Sequence, residues 1–241
     1  MKEKRVCLWS GPRNISTALM YSFAQRSDTR VLDEPLYGPY LMRTGADHPG
    51  REELLDVLDL EVSSCLDSFV RAPFDRPVLF VKNMAHHLEG IEDHGFLRSL
   101  KNIFLIRDPA EMLPTLINQI PHPTLLDTAY ERQHQLFLEL TEEGHNPLVI
   151  DSKELLLAPQ KVLSAVCDHL ELPFEEAMLS WTAGGRSEDG PWAPHWYHNL
   201  HTSSGFQKYK PKTEPFPTYL NALLQDCLPF YNDLYKHALK A

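Results

Sequence analysis

The stretch Val6-Cys7-Leu8-Trp9-Ser10-Gly11-Pro12-Arg13-Asn14-Ile15-Ser16-Thr17-Ala18-Leu19-Met20 decides the fold. Its apolar start reads as a buried strand, which stops at Ser-Gly-Pro-Arg and continues into a helical segment opened by Ser16 and Thr17. A helix entered in this way turns its unpaired N–H groups and positive dipole end outward, where an anion is held well. Arg13, Ser16 and Thr17 add side-chain donors at the same place, so the turn reads as a cradle for phosphate or sulfate. It is not a Walker loop. No Gly-x-x-x-x-Gly-Lys-Ser/Thr is present, and Arg13 stands on the turn where a nucleotide triphosphatase has its Lys further along. Ordinary ATP or GTP hydrolysis is disfavoured on that ground.

Outward from this stretch, short apolar runs recur at Val31 to Leu32, Val78 to Val81, Ile103 to Ile106 and Leu148 to Ile150, mostly separated by helix-like segments. Such alternation predicts an α/β fold with a central parallel sheet covered on both faces. Ligands of such sheets sit beyond the carboxyl ends of the strands, where Arg13, Glu34, Lys82 and Arg107 all fall. Ser152 is the expected cap of the next helix, which continues on either side of Pro159. From about 184 to 217 the chain is rich in Gly, Pro, His and aromatic residues and reads as a long irregular cap over the sheet edge. A terminal helix is expected from about Thr218 to Leu239.

With 241 residues, 43% of them hydrophobic and 23% charged, the chain has globular composition and length for one substantial core, so a single domain over 1–241 is expected. A formal net charge of −10 argues against general binding to nucleic acid or anionic membranes and leaves any anionic ligand to local geometry. Cys7, Cys65, Cys167 and Cys227 are far apart, form no Cys-x-x-Cys pair and read as small core residues of a reduced cytoplasmic protein. No stretch approaches the ~18 apolar residues of a membrane span. The 12 His residues show no metal-ligand spacing, so no metal site is expected.

Two further segments are informative. Ile103-Phe104-Leu105-Ile106-Arg107-Asp108-Pro109 ends a strand in Arg-Asp-Pro, and Thr115 follows Arg107 by eight positions. Together with Gly11 to Thr17, this resembles the two cofactor motifs of the sulfotransferases that use 3′-phosphoadenosine 5′-phosphosulfate (PAPS). Leu148 to Leu155, Pro159 and Leu170 to Phe174 resemble that family's late strand and helix, so the likeness spans roughly residues 5 to 175. The opening through Asp33-Glu34-Pro35-Leu36-Tyr37 is similar to a bacterial sulfotransferase-like group sometimes labelled branched-chain aminotransferase-like; nothing in the chain supports pyridoxal phosphate chemistry.

The resemblance implies a P-loop NTPase-like three-layer fold. It implies an enzyme that moves a sulfuryl group from PAPS to a hydroxyl, or less readily an amine, of a small molecule or sugar. Arg13, Asn14, Ile15, Ser16 and Thr17 would hold the 5′-phosphosulfate, and Arg107 with Thr115 the 3′-phosphate. The family often has Gly where this chain has Ile15, and an adenine-stacking aromatic where it has Ala18; Phe206 or a Trp of the late loop is then the candidate for adenine. Gly205 and Phe206 lie in Ser203 to Lys210, an approximation of the family's late Gly-rich basic motif. Glu34 matches the catalytic base of sugar-acting branches, with a pairing to a neighbouring cation as its structural alternative. Lys82 matches the strand-end Lys that offsets charge on the leaving phosphate, and His86 is the second candidate base, with a solvated or helix-capping role as its alternative. A phosphoryl transferase, or a nucleotide-binding protein without turnover, remains the rival; the acceptor and the oligomeric state are open.

Overall fold

The computed structural model describes residues 3–241. Five parallel strands form one sheet in the order β2-β3-β1-β4-β5: β1 Lys4–Ser10, β2 Thr29–Asp33, β3 Val78–Met84, β4 Lys101–Ile106 and β5 Leu148–Asp151. Each expected apolar run lies inside one of them. The helices in chain order are α1 Ser16–Phe23, α2 Tyr37–Thr44, α3 Arg51–Val57, α4 Val62–Val70, α5 Pro109–Leu116, α6 Leu125–Thr128, α7 Tyr130–Glu142, α8 Ser152–Leu157, α9 Pro159–His169, α10 Ala193–Trp196, α11 His198–His201 and α12 Asn221–Lys236.

Side chains alternate across the pleat, so each strand feeds two cores. Along β1, Val6 and Leu8 pack with Leu19, Phe23, Phe80 and Ile150, under α1 and α9. Cys7 and Trp9 face the other way, into a core with Val81, Phe104, Met112 and Leu136, under α5, α7 and α12. A strand covered on both faces needs the continuous hydrophobicity that made β1, β3 and β4 legible. All four cysteines are buried and free. A third, smaller cluster joins Tyr37, Tyr40 and Leu54 to Trp192, Ala193 and Tyr197, and seats the 184–217 segment over the carboxyl ends of the strands.

Three local expectations are corrected. Asp151, not Ser152, caps α8: its carboxylate accepts from the Lys153 and Glu154 N–H groups at 2.8 and 3.2 Å. A carboxylate at that helix end gains from the dipole as well as the hydrogen bonds. Ser152 Oγ instead lies 2.8 Å from the carbonyls of both Asn14 and Ile106, its one proton shared between them, joining the first loop to the end of β4. The 184–217 segment contains the four-residue helices α10 and α11, and α12 ends at Lys236 after a 3₁₀ turn at Thr218–Leu220.

Candidate active site

The loop after β1 is held in a costly backbone shape. Arg13 and Ile15 have φ of 60° and 62°, in the left-handed region that β-branched side chains rarely adopt. Glu34, after β2, has φ 39°. All three line one cavity of about 330 Å³ at the carboxyl ends of the strands. Strain of ~1 to 3 kcal/mol per residue persists only where its surroundings over-determine it, and here they do. Asn14 donates to Leu105 O at 3.1 Å, Arg107 donates to Arg13 O at 2.9 Å, and Ser152 grips Asn14 O. Gly11 has no room for a side chain, since a Cβ there would lie 2.7 Å from Thr128 O. A left-handed Ile15 followed by the helical Ser16 makes a concave set of N–H groups continuous with the N-terminus of α1, suited to an anion.

The cradle is basic only locally. Arg13 donates to Trp196 O at 3.3 Å through one terminal nitrogen, while its buried Nε has no partner among the described residues. Burial, and then Arg107, push the Arg13 pKa down, as befits cations gathered without a counter-charge of equal size. Arg107 lies 3.6 Å from Glu111. Thr115, on the same helix as Glu111, lines the cavity, its hydroxyl donating to Met112 O at 2.6 Å and keeping its lone pairs. Lys212 is exposed and not among the residues lining the cavity; its own partial burial and then the charge of Arg107 lower its pKa, with Arg13 adding to that. Gly205 bridges Ser180, and Phe206 lines the cavity edge-on to Trp181 at 5.3 Å, packed in the same cluster as Ile15 and Ala18.

Opposite the cradle, strand register sets a buried charge cluster. Asp33 of β2 pairs with Lys82 of β3, and Glu34 N–H donates to Lys82 O at 2.7 Å. The Lys82 ammonium donates to Asp33 Oδ1 at 2.8 Å, Glu34 Oε1 at 2.5 Å and Tyr197 Oη at 2.6 Å. An ammonium has three protons, and all three are taken. Lys82 is 0% exposed and is not among the residues lining the cavity. Where the sequence led to an expectation of Lys82 at a leaving oxygen, the structure has it under the cavity wall as the counter-charge of two carboxylates. Burial opposes its charge, but Asp33 and Glu34 together hold its pKa above the ordinary value. For Glu34, burial raises the pKa, Lys82 opposes, and Asp33 adds to the rise. Two carboxylates share one ammonium in a dry place, so an upward shift of Glu34 is the physically consistent direction.

His86 and His87 are buried, not solvated or capping. Their rings are 4.8 Å apart at 77°, and His87 Nε2 lies 3.8 Å from Glu34 Oε2. Burial lowers His86 to about 3, helped by His48, and pushes His87 well below its ordinary value. Both are neutral at pH 7 and are weak proton acceptors. Tyr37, which stacks on His87 at 4.9 Å and hydrogen-bonds His48 at 2.9 Å, completes with Trp192 and Trp196 a mostly aromatic wall. Among the described residues no group of three or more His, Cys, Asp or Glu side chains is placed to hold a metal. No helix of the described residues is long and apolar enough to cross a membrane.

A protein family described as "Sulfotransferase domain" matches residues 4–238. Two curated relatives from Arabidopsis thaliana, branched-chain-amino-acid aminotransferase-like proteins 2 and 1, are each 38% identical over 230 residues, covering 95% of this chain but 41% of their own length. The chain thus spans less than half of either relative. Among solved structures, the sulfotransferase domain from the Synechococcus PCC 7002 olefin synthase superposes with a TM-score of 0.56 at 18% identity, covering 99% of this chain and 97% of that one. A sulfotransferase from Alicyclobacillus acidocaldarius gives 0.55 at 13% identity, covering 98% and 97%. At these identities the two structures speak to the fold alone.

Proposed function

The chain belongs to the sulfotransferase domain family, and from that premise we propose that it transfers a sulfuryl group from PAPS to a hydroxyl of a small acceptor, with Glu34 as the base. The observation that carries this is a buried carboxylate, raised in pKa and fixed by Lys82, that shares one cavity with the strained, N–H-lined loop of Arg13 and Ile15. The donor's chemistry fits the residues present. The orphaned Arg13 Nε and the loop amides suit the 5′-phosphosulfate, while Arg107 and Thr115 suit the 3′-phosphate that ATP and ADP lack. Phe206, which lines the same cavity as Ala18, offers the aromatic face that the shortened side chain at 18 does not.

When bound, PAPS supplies an activated sulfuryl group with a stable bisphosphate leaving group. Arg13 and the loop N–H groups bind and orient that end and offset negative charge as it grows. Glu34 Oε1 is committed to Lys82, so Oε2 is the atom that takes the acceptor's proton. Neutral His86 and His87, with the aromatic wall, exclude water and line the acceptor side. Beside the aromatic wall that side holds the carboxylates of Glu34 and Asp127, which favours an uncharged acceptor over an anionic one. Lys82 acts from behind, keeping Glu34 ionised without touching substrate.

Glu34→Gln tests this. It keeps size and hydrogen bonding and removes the proton acceptor, so affinity for 3′-phosphoadenosine 5′-phosphate (PAP) should stay at the wild-type value while PAPS turnover falls about 10²- to 10⁴-fold. His86→Ala should cost far less. Wild-type turnover in Glu34→Gln with loss in His86→Ala would exchange the two roles.

A further inference from the structure

We propose that Tyr197, delivered by the 184–217 cap, is the positioning residue that sets the base strength of Glu34. This rests on the assignment of Glu34 as the base. The Tyr197 hydroxyl is buried and uses its full hydrogen-bonding capacity inside the charge cluster. It accepts from Lys82 Nζ at 2.6 Å and from Trp192 Nε1 at 2.9 Å. Its single proton goes to Asp33 Oδ2 at 2.8 Å, the nearest carboxylate oxygen, with Asp33 Oδ1 at 3.2 Å and Glu34 Oε1 at 3.4 Å. Gly190 N–H of the same cap adds a second donor to Asp33 Oδ2 at 3.1 Å.

The consequence follows from charge counting. Asp33, Glu34 and Lys82 leave one negative charge in excess in a buried place, and the two carboxylates compete for one ammonium. Donors from the cap satisfy Asp33, which leaves Lys82 free to hold Glu34. Without the hydroxyl, Asp33 draws more of Lys82, and Glu34 is the carboxyl that takes up a proton. The groups facing Glu34 are Asp33 from β2, Lys82 from β3, His87 just beyond β3, Tyr37 from α2, and Tyr197 with Trp192 behind it from the cap. Tyr197 is the member of this set that arrives from a distant part of the chain. The cap has a separate anchor away from the cluster: Tyr209 OH donates to Glu111 of α5.

The test reads Glu34 directly. Protein carrying ¹³C at glutamate side-chain carboxyls is titrated by NMR, the Glu34 signal being assigned by its loss in Glu34→Gln. Tyr197→Phe should raise the Glu34 midpoint by about one pH unit, the scale of one lost hydrogen bond to a charged group. Tyr209→Phe, which loosens the cap at its other anchor, should leave the midpoint in place. An unmoved midpoint in Tyr197→Phe, or the same shift in both variants, overturns the proposal. Should Tyr197→Phe not fold, Trp192→Phe removes a donor to the same hydroxyl and should give a smaller rise; no rise there overturns the proposal equally. In turnover, the acid limb of kcat/KM should move up with the midpoint. A shifted midpoint in a protein that transfers nothing from PAPS faults the donor assignment and leaves the network standing. Transfer with an unshifted midpoint faults Tyr197 alone.

Discussion

Lys82 shows how a single residue is judged by what its atoms have left to offer. A strand-end lysine in a sheet of this kind reads naturally as a group reaching toward the ligand. Its three protons are nevertheless committed to Asp33, Glu34 and Tyr197. Removing it should therefore act on Glu34 and on the fold, not on donor affinity. Lys82→Met leaves two carboxylates buried without a counter-charge, a loss of ~3 to 5 kcal/mol that urea unfolding would measure. The sign with pH follows from the raised Lys82 pKa. Its contribution is fully present below the ordinary lysine value of about 10.4 and is lost as pH rises through the higher folded value. If the variant folds, Glu34 rises further in pKa and the acid limb of turnover moves to higher pH, while PAP affinity holds. A variant as stable as wild type with an unmoved acid limb would remove Lys82 from this role.

Among the elements, the first loop carries the site, and its shape is enforced from outside it. Gly11 meets Thr128 O, and Asn14 and Arg13 are tied to the end of β4 and to Arg107. Gly11→Ala should displace the loop, costing about 1 to 3 kcal/mol of stability and weakening PAP binding. Gly45→Ala is the matched control. Gly45 ends α2 with φ +67° and has open space around it, so it pays backbone strain only and should leave PAP affinity unchanged. Calorimetry on the two variants separates loop geometry from stability, and equal PAP affinity in Gly11→Ala and wild type would contradict the role given to the loop. The strand and helix that frame this loop were legible because buried parallel strands are apolar throughout and the turn between them is polar. The left-handed Arg13 and Ile15 were not, since neither residue type announces φ above zero. Nor was the exchange at α8: Asp151 and Ser152 are both good caps by type, and only the position of Asn14 and Ile106 carbonyls calls the serine away.

For the whole molecule, a net charge of −10 surrounds a cavity lined by Arg13 and Arg107. Under the proposed function, local geometry and not net charge draws the anionic donor. The α/β arrangement and the approach of Glu34, Arg13 and Arg107 to one cavity could be read from strand ends, whereas Thr115 came from its spacing after Arg107 and Lys82, grouped with the strand-end residues, lies beneath the cavity wall. The Tyr197 network could not, because the cap joins Asp33 across 164 positions and carries no periodicity that fixes its path. The account turns on whether the ligand carries a phosphate at the 3′ position. Calorimetric titration of the wild-type protein with PAP and with ADP, repeated on Arg107→Ala, asks this most directly. A charge-assisted contact of roughly 1.5 to 3 kcal/mol predicts that PAP binds about ten- to a hundredfold tighter than ADP, and that Arg107→Ala removes most of the difference. Equal affinity of the wild-type protein for PAP and ADP would contradict it.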